Sequence, residues 1–263
     1  MITNRDFNYY LYAHHIRLKF IIKALKSGWF MLSFFLTVFY SNTRAQPLFT
    51  AIEKQNVKEI NRLLDSSSSL INAKTKNGLC PLGKSIFTGN TQIVQLLIKR
   101  GANINACNTV GWTPLMIACQ LGNDSITDLL IENGANIFVK DKYNWTPLTI
   151  ASKNGQLNVI KTLLQYKIDI NTLTNDGSTA LMAACYKGHT EIVQLLIDNG
   201  AEINAMNQNQ ETALLLAIVS GKEKTIDVLI RAGAKKDVTY KGKSLCDVAS
   251  ENGYLYVCDK LEK

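Results

Sequence analysis

The stretch WTPLMIACQLG, residues 112–122, returns as WTPLTIASKNG at residues 145–155, a step of 33 residues. The same step organises most of the chain. Leu82, Leu115, Leu148, Leu181 and Leu214 form one series at this interval, and Gly89, Gly122, Gly155, Gly188 and Gly221 form a second. Leu97, Leu130, Leu163, Leu196 and Leu229 form a third. Pro81, Pro114 and Pro147 share a column that Ala180 and Ala213 continue, preceded in each copy by Cys80, Thr113, Thr146, Thr179 or Thr212. Columns that hold phase through five copies mark an internal repeat, and a period of this length means a stack of supersecondary units.

Within one copy the residues predict two short helices and an exposed turn. Thr113 is placed to cap a helix whose first turn holds Pro114, where a missing backbone donor is harmless, and Gly122 stands where the chain must leave that helix. The second helix is read from Ile126, Leu129 and Leu130 in one copy and Ile192, Leu195 and Leu196 in another, with its end at Gly134 or Gly200. Asn175-Asp176-Gly177 and its equivalents then suit a tight turn. A helix pair of this size cannot bury its apolar face alone, whereas stacked copies can. At least about three are needed, with atypical ends.

Gly111-Trp112-Thr113-Pro114-Leu115, Gly188-His189-Thr190-Glu191-Ile192-Val193 and Asn199-Gly200-Ala201-Glu202-Ile203-Asn204-Ala205 resemble the ankyrin-repeat family. The resemblance implies an all-α solenoid of stacked helix-turn-helix units joined by hairpin turns. It covers residues 46–263: a degenerate opening repeat at 46–74, five repeats at 75–238 and a shortened closing repeat at 239–263. The opening copy matches through Pro47-Leu48, Ala51 and Leu63-Leu64, with Ser66 to Ser69 lengthening its loop; the closing copy matches through Ser244, Ala249, Asn252 and Gly253. The histidine usual in the family after Thr-Pro-Leu is replaced by Gly83, Met116, Thr149, Met182 and Leu215, which removes a polar tie without challenging the fold. Lys167 and Ile168 stand where Gly-Ala is expected, so an irregular helix end is predicted there.

Hydrophobic content of 46% with 19% charged residues is that of an ordinary globular chain. The net charge of +8 is unevenly spread. Residues 1–45 hold Arg5, Arg17, Lys19, Lys23, Lys26 and Arg44 against Asp6, leaving 23 basic and 20 acidic residues elsewhere. So balanced a remainder excludes a dedicated nucleic-acid binder from the expectations. The segment 1–45 reads as a signal peptide or signal anchor: a basic region, the apolar run Trp29 to Tyr40, then Thr43 and Ala45 as small residues at a cleavage position. As a helix that run reaches about 18 Å, short of the roughly 30 Å hydrocarbon core. Export with cleavage near Ala45 is therefore the expectation, to the periplasm or medium of a bacterium; membrane anchoring by the retained segment is the alternative.

Six cysteines in an exported chain raise the question of disulfides. Cys119 and Cys185, two repeats apart, are too distant to bridge in a regular stack. Cys80 with Cys107, or Cys246 with Cys258, remains open, while six small buried thiols is the simpler expectation. No Cys-x-x-Cys or His-x-x-x-His spacing suggests a metal site, and no cofactor is expected. His189 fills the family's Gly-His position, where the resemblance implies a structural role. With no nucleophile elbow, phosphate loop or dinucleotide fingerprint, the chain is expected not to be an enzyme.

The resemblance implies that a partner protein docks on the concave face lined by hairpin tips and first helices, with the chain itself a monomer. The tips are Lys76-Asn77, Thr109-Val110, Lys142-Tyr143, Asn175-Asp176 and Gln208-Asn209. Aromatic residues dominate binding hot spots, so Trp112, Tyr143, Trp145 and Tyr186 are the expected centre, with Phe87, Leu121, Lys153 and Lys187 beside them. The two tryptophans, in Gly-Trp-Thr-Pro-Leu-like turns, have packing on the next repeat as their other reading. Intact mass spectrometry of the native protein is expected to find a mature chain beginning near Gln46; a chain retaining residues 29–40 would establish the tether instead.

Overall fold

The computed structural model describes residues 45–262. The predicted targeting segment, with its run Trp29 to Tyr40, lies outside the described residues. Leu48–Lys263 make one compact unit. Its helices come in pairs: α1 (45–53) with α2 (Val57–Ser66), α3 (Pro81–Phe87) with α4 (Thr91–Lys99), and α5 (Pro114–Leu121) with α6 (Asp124–Glu132). There follow α7 (Pro147–Asn154) with α8 (Leu157–Leu164), α9 (Ala180–Lys187) with α10 (Thr190–Asp198), and α11 (Ala213–Val219) with α12 (Glu223–Arg231). A two-residue hairpin, β1 (Thr239–Tyr240) and β2 (Lys243–Ser244), then leads to α13 (Leu245–Glu251) and α14 (Tyr256–Glu262). From α3 onward each first helix packs on the next first helix, and each second helix on the next second helix. The array is an all-α solenoid.

The periodic residues explain the elements. Thr113, Thr146, Thr179 and Thr212 each accept a hydrogen bond from the backbone N–H three residues on, which satisfies a donor that the helix leaves unpaired. Cys80 fills the same role with its sulfur, a weaker acceptor, at 3.3 Å from the Gly83 nitrogen. These donors belong to the positions where the family's histidine is missing, so the cap survives the substitution. Gly122, Gly155 and Gly188 end their helices in the left-handed region. They are glycine for a second reason as well. The space for a Cβ is occupied by the next repeat: by the Gln156 amide over Gly122, by His189 Cε1 at 2.7 Å over Gly155 and by Lys222 Cδ at 2.6 Å over Gly188.

The ten leucines of the two expected columns are all 3% exposed or less. They form one continuous core with Ile93, Val94, Ile126, Ile160, Ile192 and Ile226, shared between neighbouring pairs. Full burial of each side chain contributes about 2 kcal/mol. The serine run behaves differently from the lengthened loop expected: Ser66 closes α2, and Ser68–Asn72 wind into a 3-10 turn that buries Ile71.

Helix exits show why the Lys167 substitution matters. At four exits a glycine with positive φ lets the following alanine nitrogen reach back five residues: Ala102 to Leu97, Ala135 to Leu130, Ala201 to Leu196 and Ala234 to Leu229, at 2.9 to 3.0 Å. Lys167 does not take up positive φ. Instead α8 stops at Leu164, and the Ile168 nitrogen bonds the Tyr166 carbonyl at 2.8 Å.

One buried position breaks its column. Val94, Ile160, Val193 and Ile226 line the core at 33-residue intervals, but Thr127 stands among them, fully buried with no partner for its hydroxyl. An unsatisfied buried hydroxyl costs about 1–3 kcal/mol. Thr127→Val is therefore expected to raise stability by about 1 kcal/mol, seen as a higher urea midpoint; an unchanged or lower midpoint would show the hydroxyl to be satisfied.

Candidate functional site

The hairpin tips are organised from below by a second polar column. Thr75, Asn108, Asp141, Thr174 and Asn207 sit 33 residues apart, and each side chain accepts backbone N–H groups of its own turn. Asp141 Oδ1 holds the Tyr143 and Trp145 nitrogens at 2.8 Å each. Such short local bonds fix a turn without a sheet. The tips are then tied to one another. Thr109, Lys142, Asn175 and Gln208 donate their N–H to the carbonyls of Asn77, Val110, Tyr143 and Asp176, at 2.9 to 3.1 Å. A ladder of backbone bonds thus runs along the array and sets the spacing of the tip side chains.

Trp112 serves this frame directly. Its indole Nε1 donates to Asp141 Oδ2 at 2.9 Å, across the junction with the next repeat, and the ring is half-buried against the core. Trp145 is half-buried too, and Lys153 from α7 places its ammonium over the indole at 4.5 Å from the ring centre. That contact joins helix and tip into one face. Tyr143 stands at its tip, exposed, with Lys142 over its ring at 4.8 Å. Tyr186 and Lys187 end α9, both exposed, with the ammonium 5.4 Å from the phenol ring centre. Phe87 ends α3 and Leu121 ends α5, 52% and 45% exposed, and they line an open depression of about 460 Å³ with Thr88 and Asn123. The expected residues accordingly divide: Trp112 and Trp145 are partly built into the fold, whereas Phe87, Leu121, Tyr143, Lys153, Tyr186 and Lys187 present free surface.

Around them the acids are engaged at home. The Asp176 carboxylate accepts from Thr174 and Ser178; its burial pushes its pKa up, and those bonds more than offset this, leaving it below the ordinary value. Glu211 accepts from Asn207 Nδ2 at 2.8 Å. His189 lies over Gly155 and donates from Nε2 to the Lys153 carbonyl at 3.2 Å, as Gln156 does to the Gln120 carbonyl one repeat earlier. Its imidazole is a strut between repeats. Among the described residues no three His, Cys, Asp or Glu side chains are grouped to share a metal ion.

The family pattern "Ankyrin repeats (3 copies)" matches residues 85–174 and 169–240, more than half the chain. The chain belongs to the ankyrin-repeat family. A comparison with curated proteins finds no match. Against the ankyrin pattern, one departure went unread in the sequence. Asn105, Asn171 and Asn204 each donate to the carbonyl at the next repeat's helix exit and accept from the nitrogen two residues beyond it. At the equivalent place stands Phe138, 63% exposed, facing in sequence register the exit where Lys167 replaces glycine. The staple is absent from the junction that also carries the Trp112–Asp141 bond. A mismatch of residue type at one repeat of the Asn column was the available signal.

The expectation of six buried thiols is corrected. Cys246 in α13 and Cys258 in α14 are joined by a disulfide, and Cys107 is exposed; Cys80, Cys119 and Cys185 are buried free thiols. The bond ties the two short helices of the closing pair across a 12-residue separation, which restricts the unfolded chain. Burial pushes the Cys119 and Cys185 thiols far above their usual range, and raises Cys80 despite the Gly83 N–H it accepts. Thiolate is the reactive form. A native thiol-reagent titration is expected to consume Cys107 rapidly and leave Cys80, Cys119 and Cys185 protected until unfolding; reductant should add Cys246 and Cys258. Rapid reaction of Cys119 would contradict the stack.

Proposed function

We propose that this protein is an exported, monomeric, non-catalytic module that holds a partner protein on the face formed by its first helices and hairpin tips. Ankyrin arrays generally mediate protein–protein interaction and are typically not enzymes. The observation that carries the assignment to this face is the contrast between invariant and variable columns. Positions facing the core repeat leucine, alanine and isoleucine, while the positions just before the helix-ending glycines read Phe87, Gln120, Lys153, Tyr186 and Val219. A surface held rigid by the tip ladder and free in residue type is suited to recognition, because little side-chain and loop entropy remains to be lost on docking. The basic and apolar segment ahead of residue 46 supports export; if retained, it makes the array a membrane-tethered scaffold with the same binding face.

A photo-crosslinking amino acid in place of Tyr186, in the native host, is expected to give a discrete protein adduct that is absent when the crosslinker replaces Lys161 on α8. An adduct from position 161 with none from 186 would move the partner to the second helices and reject this reading.

A further inference from the structure

Within the five central repeats the first helices are free of acids, although the end helices α1 and α13 carry Glu53, Asp247 and Glu251. The first helices α3, α5, α7, α9 and α11 contain Lys84, Lys153 and Lys187 and no acidic residue at all. The second helices are mixed: α2, α6, α10 and α12 carry Glu59, Asp65, Asp124, Asp128, Glu132, Glu191, Asp198, Glu223 and Asp227, set against Lys58, Arg62, Lys99, Lys161, Lys224 and Arg231 along the row. Lys84 is neutralised by Glu53. Lys153 and Lys187, together with Lys142 at the tip, take part in no ion pair among the described residues. Each instead lies over an aromatic ring, of Trp145, Tyr186 and Tyr143 respectively. The nearby tip acids are already engaged: Asp141 by Tyr143 and Trp145 of its own turn and by Trp112 of the preceding repeat, and Asp176 by Thr174 and Ser178.

We propose that Lys142, Lys153 and Lys187 with their rings recognise an acidic protein segment that also carries apolar side chains. The inference rests on the docking face proposed above and adds the chemistry of what docks. An ammonium on a ring keeps most of its charge available to a carboxylate, while the ring offers apolar area beside it, so each pair reads an acid and a neighbouring apolar group together. A bare phosphate backbone fits this pattern poorly. Duplex DNA carries a charge about every 1.7 Å and is matched by a continuous basic run, whereas these are three isolated lysines, Lys142 and Lys153 in one repeat and Lys187 in the next, each with an aromatic ring beside it. The second helices, where each lysine shares its row with acids, offer the same ligand less net attraction.

Fluorescence anisotropy of the full chain with a labelled random copolymer of glutamate and tyrosine tests this. The copolymer is expected to bind. Its affinity should fall about tenfold or more when Lys142→Gln, Lys153→Gln and Lys187→Gln are combined, and stay within about twofold when Lys99→Gln, Lys161→Gln and Lys224→Gln are combined on the second helices. Absence of binding, equal loss in the two triple variants, or equally tight binding of a single-stranded oligonucleotide would each overturn the proposal. Any of these alongside a discrete adduct from position 186 leaves the docking face standing and removes only the acidic partner; a missing adduct removes the face itself.

Discussion

Burial of the leucine columns between neighbouring helix pairs is the interaction on which everything else in this molecule depends. Each pair presents one apolar stripe too wide to leave in water and too small to close on itself. Leu115 and Leu130 are shielded because copies before and after them supply the missing wall. The stack therefore has no single centre. Its core is a line, and stability is set junction by junction.

That linear core separates two jobs. Residues facing inward are constrained by packing and by close approach, as at Gly155, where the neighbour's imidazole fills the space of a Cβ. Residues on the first-helix and tip face meet no such demand, since the backbone ladder and the Thr75 to Asn207 column hold the turns whatever the tips display. Recognition can then be rewritten without refolding. The closing pair differs in being held by a disulfide and by the capping box of Ser244 with Asp247.

Features carried by residue identity at a fixed step were readable before any coordinates. The leucines, the cap threonines and the glycines belong to this class, and so does the irregular exit at Lys167. Mixed columns were not. Thr75, Asn108, Asp141, Thr174 and Asn207 share one function, accepting N–H groups of a turn, but not one residue type, so comparison by identity passes over them. Trp112 was read correctly as lying near the tips, yet its bond goes to a carboxylate 29 positions away, which no local spacing announces. The Cys246–Cys258 tie could only be left open for a related reason: which faces of two short helices meet is a packing outcome.

The junction between the repeats 108–140 and 141–173 has a further meaning. Between 75–107 and 108–140, and on both sides of 174–206, neighbouring copies hold one another with the same Asn staple, so in principle they could be transposed, duplicated or deleted. Here Phe138 has lost the staple, Lys167 has lost the glycine it served, and Trp112 is matched to Asp141. These two copies have become a private couple. Shuffling either one alone would part the buried Asp141 Oδ2 from its indole donor, so the order of modules in this array is fixed at its middle.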